Sequence, residues 1–280
     1  MFIKDLYRLT RFEHAAMLAL AVFIAETVTL GRSPPATIPI ILSLLVPVLS
    51  EMGSFALNDY FDIETDRLNK KSDRPLVKGT ISPGFALYFS ICCLALSSGL
   101  ASLINIPAFS IALLFNLLAV AYNWKLKDLP LIGNMYIALT MAIPFIFGDF
   151  VVSGTLSLMA IVLAALGFVA GLAREIIKSV QDVEGDVKAR GSRTLPVVIG
   201  KGPATATALA LYLLFIPLSG APFLLGLKSG VIPWALVAAA DAGILAICYM
   251  ILTKKDYRFA RNASLAVFAA GMMGILMAAI

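Results

Sequence analysis

Oxygen-bearing side chains at helical spacing carry the first chemical signal in this chain. In the stretch Asn58-Asp59-Tyr60-Phe61-Asp62-Ile63-Glu64-Thr65-Asp66, three of them, Asn58, Asp62 and Asp66, stand at i, i+4 and i+8. If the helix begun by the preceding apolar run continues through them, all three share one face. About 120 residues later the theme returns: Glu175, Lys178, Asp182 and Asp186 are spaced by three, four and four. Like charges at i, i+4 destabilise an isolated helix by a few tenths of a kcal/mol per pair, so something must compensate. One stripe alone is explained equally well as a solvated face neutralised by nearby Lys and Arg. Two stripes favour a divalent cation, because carboxylate and amide oxygens suit hard ions and Mg²⁺ is usually held by one or two carboxylates together with substrate phosphates. With a single histidine, His14, and its three cysteines inside apolar runs, the chain has no zinc set. The glycine-rich nucleotide loops and the serine-hydrolase elbow are absent too. Arg67, Arg74, Lys78, Lys127, Lys178 and Arg193 lie near the acids and can contact phosphate oxygens that a metal leaves free.

These groups must be carried by membrane-spanning helices. Of the 280 residues 60% are hydrophobic and only 14% charged, and the mean hydropathy is +0.92, whereas soluble domains carry roughly 25% charged residues. That composition excludes a disordered chain and a water-soluble globule. Apolar windows predict nine spans, near residues 12–30, 36–58, 84–104, 107–122, 129–149, 155–173, 203–219, 231–253 and 260–280, each of the order of the ~20 residues a helix needs to cross a bilayer. Helices are required because backbone polar groups in lipid must be satisfied internally. With nine spans, every Lys and Arg except Arg32 and Lys228 falls on one side of the membrane. The positive-inside rule then predicts a cell-membrane protein whose N-terminus and acid-bearing loops are cytoplasmic and whose C-terminus is outside. The formal net charge of +5 is accounted for by this topology and calls for no nucleic acid.

A magnesium–diphosphate clamp at the rim of an apolar bundle implies chemistry on a lipid diphosphate. Metals and cations would stabilise the charge developing on the leaving diphosphate. The allylic cation left behind would need an apolar, partly aromatic chamber that excludes water. Phe55, Tyr60, Tyr122, Trp124, Phe145 and Phe147 are candidates for its lining, and Glu51, seven residues before Asn58, can share the chamber-facing stripe. Glu26, Asp149 and Asp241 lack a motif and are expected to make structural pairs. A cation transporter would place its acids near the midplane instead of at helix ends.

The acidic motifs resemble those of the UbiA superfamily of intramembrane prenyltransferases. The family pattern NDxxDxxxD matches residues 58–66 and is followed by NKxSDRPL at 69–76, and DxxxD matches Asp182 and Asp186 with Thr194-Leu195-Pro196 after it. Within the superfamily the chain is most similar to archaeal digeranylgeranylglyceryl phosphate synthases, through AREIIKSVQDVEGD at 173–186 and YNWKLKDLPLIGN at 122–134. The resemblance implies an all-α polytopic membrane protein, one domain over residues 1–280, with nine transmembrane helices around a central chamber and cytoplasmic cap loops. It implies that Asn58, Asp62, Asp66, Asp182 and Asp186 hold two Mg²⁺ ions on geranylgeranyl diphosphate, with Lys127, Lys178 and Arg74 on its oxygens. The acceptor would be geranylgeranylglyceryl phosphate, and no protein partner beyond the membrane lipids is implied. Arg11-Phe12-Glu13-His14 is closer to the branch that prenylates aromatic acids such as 4-hydroxybenzoate; with a glycerol phosphate acceptor, His14 is a candidate for orienting it and Arg8 and Arg11 for binding its phosphate.

Overall fold

A computed structural model describes residues 2–68 and 71–280, apart from the side chains of Gly185, Asp186, Ala189 and Arg190. The helices are α1 (Phe2–Thr10), α2 (Phe12–Leu30), α3 (Ile38–Phe61), α4 (Ile63–Leu68), α5 (Pro75–Lys78), α6 (Pro83–Ser102) and α7 (Ile106–Trp124). After a 3-10 turn at Leu126–Asp128 come α8 (Ile132–Ser153), α9 (Leu158–Arg190), α10 (Leu195–Ile199), α11 (Lys201–Ser219), α12 (Ala221–Leu224), α13 (Val231–Lys254) and α14 (Tyr257–Ala279). Among the described residues, nine helical segments are long and apolar enough to cross a membrane, and they coincide with the nine expected spans. The chain is a multi-pass all-α membrane protein.

Local chemistry sets where these helices begin. Ser82 accepts a hydrogen bond from the Phe85 amide (3.2 Å) and is followed by Pro83, whose missing N–H costs nothing in the first turn. Asn105 caps α7 through the Ala108 amide (2.8 Å), and Asp256 caps α14 through the Phe259 amide (2.9 Å). At 33 residues α9 is the longest element. Its length of about 50 Å exceeds a hydrocarbon core of about 30 Å, so its last turns, which carry the second acidic motif, project beyond the membrane.

Packing closes the helices into a ring. Neighbours α2, α3, α6, α7, α8 and α9 pack in succession, and α9 packs on α11 and α14. The last span returns to the first through an α14–α2 contact. Interhelical seams are built largely from Ala and Gly, as the cluster Ala170, Ala173, Ala204, Ala208 and Ala260 illustrates. A Cβ on Gly167 would lie 2.6 Å from the Met141 carbonyl oxygen, so glycine is what allows α8 and α9 their close approach. Large apolar side chains such as Ile91, Leu117, Tyr249 and Leu252 stay exposed on the outside, which suits a lipid solvent.

The three isolated acids are structural, as expected. Glu26 accepts a hydrogen bond from Ser43, Asp149 accepts from Thr29 Oγ1 (2.6 Å) and the Ser157 amide (2.7 Å), and Asp241 accepts from Ser219 (2.9 Å). Each ties one spanning helix to a neighbouring helix or loop, where an unpaired carboxylate would be costly.

Candidate active site

The ring encloses a cavity of about 470 Å³, lined by every spanning helix except α6. Its depth is apolar, with Ile24, Phe145, Leu163, Leu166, Phe215 and Ile275 among its walls. Polar groups gather toward the end from which α4 and the 3-10 turn project. Of the expected substrate-contacting residues, Arg11, His14, Glu51, Asn58, Arg74, Tyr122 and Lys178 line this cavity. Arg67, Lys78 and Arg193 do not. Arg67 is exposed and pairs with Glu64 one helical turn away (2.8 Å), and Lys78 and Arg193 point to solvent. Of the six aromatic candidates, Phe55, Tyr122 and Phe145 line the chamber. Trp124 is 73% exposed, Phe147 is buried between helices with Val22 and Val46, and Tyr60 packs against the Leu9–Leu76 cluster. Tyr136, unforeseen in the sequence, stacks on Tyr122 with ring centroids 4.7 Å apart.

The first acidic stripe is not one uninterrupted helix. The helix breaks at Asp62 (φ −98°, ψ 6°), and α4 restarts at Ile63. Hydrogen bonds Asp62 N to Asn58 O (2.9 Å) and Asp66 N to Asp62 O (2.7 Å) carry the i, i+4 register across the break. The three ligand candidates therefore keep their helical spacing while the chain bends, though of the three only Asn58 lines the cavity, and α4 packs on α9, the helix of the second stripe. Glu175, Lys178 and Asp182 lie on α9 as expected, and the side chain of Asp186 lies outside the described residues.

Each buried carboxylate of the first motif faces a cation. Asp62 pairs with Lys127, whose side chain is itself buried. Asp66 pairs with Lys71 (3.0 Å) and lies 3.8 Å from Arg74 Nε. Asp59, to which the spacing assigned no role, accepts from both Arg11 (2.9 Å) and Arg74 (2.7 Å) and is only 1% exposed. Arg11 also lies over the Phe55 ring, 4.2 Å from its centroid. Burial lowers the Arg11 guanidinium from its ordinary value and the Arg74 charge adds to that, while Asp59 and Asp66 act in the opposite direction. A guanidinium remains protonated throughout the physiological range. Asp59 thus holds the N-terminal segment and the post-α4 loop against α3.

Two contacts set the remaining geometry. Asn58 donates to Asn123 Oδ1 (2.9 Å), and Asn123 donates to the Ala119 carbonyl (2.9 Å), so the amide of Asn58 is fixed by its nitrogen end and its carbonyl is the end suited to a cation. The turn carrying Lys127 is tied to the segment after α9 by Ser192 Oγ to Asp128 Oδ1 (2.7 Å) and Arg193 N to Asp128 O (3.1 Å). It also rests on Gly133, where an added Cβ would lie 3.1 Å from Lys127 Cα.

The donor set suits magnesium. It consists of oxygens alone, the Asn58 amide carbonyl and the Asp62, Asp66 and Asp182 carboxylates, with Asp62 and Asp66 buried opposite positive charge. Among the described residues no three acidic, histidine or cysteine side chains form a metal-sized cluster. Separated donors of this kind fit an ion whose coordination is completed by a bridging polyphosphate.

Nine spanning helices among the described residues, ringed around an apolar chamber with two acidic motifs toward one end, define a class of intramembrane transferase. The chain belongs to the UbiA prenyltransferase family, whose model matches residues 16–272. It is 35% identical over 273 residues, 98% of this chain and 96% of the relative, to the digeranylgeranylglyceryl phosphate synthase of Thermococcus gammatolerans. With the enzyme of the same name from Archaeoglobus fulgidus it shares 36% identity over 227 residues, 80% of this chain and 76% of that one. Among solved structures, one described as giving insight into digeranylgeranylglyceryl phosphate synthase in membranes superposes with a TM-score of 0.77 at 27% identity, covering 99% of this chain and 98% of that one. The fold is also that of a UbiA homolog from Archaeoglobus fulgidus solved with GPP and Mg²⁺, with a TM-score of 0.71 at 24% identity, covering 97% and 99% of the two chains. The protein is an enzyme, a prenyltransferase.

Proposed function

We propose that the chain transfers the geranylgeranyl group of geranylgeranyl diphosphate to geranylgeranylglyceryl phosphate, forming the second ether bond of archaeal membrane lipids. The observation that carries this reading is the chamber itself: an apolar, aromatic-walled cavity lined at its polar end by Asn58 and Arg74, the latter 3.8 Å from the buried Asp66. The positive-inside rule puts that end on the cytoplasmic side and the C-terminus outside. The sequence relatives carry the same activity in their names, which supports the assignment of donor and acceptor.

Asn58, Asp62, Asp66 and Asp182, together with Asp186 by its motif, would hold the magnesium, two ions in this reading. When bound, magnesium neutralises the leaving diphosphate. The chain's own residues do the rest. Lys127 and Arg74 supply fixed positive charge where diphosphate oxygens would sit, stabilising negative charge as the allylic carbon–oxygen bond lengthens. The bond's electron pair leaves with the diphosphate, the acceptor hydroxyl oxygen bonds to the allylic carbon, and the hydroxyl proton passes to an oxygen of the departing diphosphate. Phe55, Tyr122 and Tyr136 offer π faces to the positive charge on carbon, and the apolar walls deny it water.

The test is turnover of radiolabelled geranylgeranyl diphosphate by detergent-purified protein, with geranylgeranylglyceryl phosphate and 4-hydroxybenzoate offered in parallel. The expected product is a diether phosphate whose formation stops with EDTA and returns with Mg²⁺. A prenylated aromatic acid in its place would assign the protein to the quinone branch of the family.

A further inference from the structure

With Lys127 and Arg74 given to the diphosphate and Arg11 beside them on Asp59, three further cations stand on the chamber wall, among them Lys178, which the family resemblance had placed on the diphosphate. Arg174 and Lys178 project from α9 and Arg261 from the first turns of α14, and all three line the same cavity. They share one carboxylate. Glu175, 5% exposed, accepts from Arg174 Nη1 (2.8 Å) and Lys178 Nζ (3.2 Å), and the Arg261 charge acts on it as well. Two positive charges are therefore left in excess. The side chain of Arg174 is largely enclosed, and its Nε is buried with no hydrogen-bond partner. A buried guanidinium N–H without an acceptor costs free energy in the empty protein and is satisfied when an anion arrives.

We infer that Arg174, Lys178 and Arg261 form the subsite for the phosphate monoester of the acceptor. The inference rests on the proposed function and adds to it the groups that read the acceptor's headgroup. A phosphate monoester carries about −1.5 to −2 charge near neutral pH, which matches the excess. The position fits as well. Arg174 lies eight residues, about 12 Å along the axis, before Asp182 on α9. That separation places the acceptor phosphate deeper in the chamber than the donor diphosphate, with room between the two for a glycerol hydroxyl to meet the allylic carbon. Arg11 lines the same cavity but shares Asp59 with Arg74, at the donor end, and Arg8 is exposed outside the chamber.

The test compares geranylgeranylglyceryl phosphate with geranylgeranylglycerol, the same acceptor lacking phosphate, in wild type, Arg174→Gln, Arg261→Gln and Arg174→Lys. Size-exclusion behaviour and the KM for geranylgeranyl diphosphate serve as the folding and donor-site controls. The expected result is a rise of tenfold or more in KM for the phosphorylated acceptor in both Gln variants, with the donor KM changed less than twofold. The wild-type preference for the phosphorylated acceptor should collapse in step, and Arg174→Lys should recover part of it. Two results would overturn the subsite: a preference that survives in both Gln variants, or a rise in donor KM in place of acceptor KM, which would give these cations to the diphosphate. A wild-type enzyme that ignores the glycerol phosphate altogether fails the functional reading itself, a different outcome from a wild type that uses it and variants that do so equally well.

Discussion

Asp59 and Asp62 are three residues apart, both buried and both ion-paired, yet their surroundings predict different effects on turnover. Asp59 receives two guanidiniums from separate segments, so its work is to hold Arg11 and Arg74 in place. Asp59→Asn leaves two clustered cations short of a counter-charge and should lower stability by about 3 kcal/mol, read as a drop in melting temperature of the detergent-purified protein. Asp62 sits at the helix break beside Lys127, on the wall proposed to carry magnesium. Asp62→Asn also loses a buried ion pair, the one with Lys127, so its melting temperature should fall as well, but turnover should drop about 100-fold or more in protein that is still folded at the assay temperature. An Asp62→Asn protein that melts early and retains its specific activity would contradict the proposed role.

Among the elements, the 3-10 turn that carries Lys127 depends on its supports. It is clamped from one side by the segment after α9 and rests on the first turn of α8 at Gly133. The three close atoms at Gly133, Lys127 Cα and O and Leu126 O, are all backbone, which cannot swing away as a side-chain tip would. Gly133→Ala should therefore push the turn outward by a few tenths of an ångström and move Lys127 relative to Asp62. A tenfold to hundredfold loss of turnover is the expected result, since small misplacements near reacting groups are costly. Magnesium titration of the variant should still saturate, because no oxygen donor has been altered. Unchanged kinetics would show that the turn absorbs the extra methyl group. The break between α3 and α4 belongs to the same level of organisation, because it lets the first acidic motif leave the line of its spanning helix and meet α9.

For the molecule as a whole, the ring closes where α14 meets α2, and this gives the enzyme a chamber with a polar and an apolar end. Orientation follows from the charge asymmetry and is open to a direct test. With Cys92, Cys93 and Cys248 replaced by Ser, Ser72→Cys beside the acid-bearing end should react with a membrane-impermeant maleimide only in inside-out vesicles. Thr155→Cys, in the exposed turn at the opposite end, should react only in intact cells. The reverse pattern would invert the proposed topology.

Hydropathy and period are properties of neighbouring residues. Nine spans, their common charged side and the two oxygen stripes were therefore all present in the order of residues, and backbone hydrogen bonds keep the register of Asn58, Asp62 and Asp66. The spacing could not foresee the break at Asp62, because a one-residue interruption keeps the hydrogen-bond register and leaves the periodicity intact. Nor could it separate useful cations from bystanders. Arg67, Lys78 and Arg193 stand as near the motifs in sequence as Arg74 and Lys127, yet they face solvent, while Arg261 reaches the chamber from the last helix. Asp59 shared its motif with Asp62 and gained its separate role only when residue 11 was folded beside it, 48 positions away. Sequence alone determined the solvent, the number of crossings and the class of chemistry, because each is set by local composition and spacing. Which charges meet, and therefore which acids hold the fold and which face the reaction, was decided only by the closing of the ring, since attraction between charges depends on distance through space.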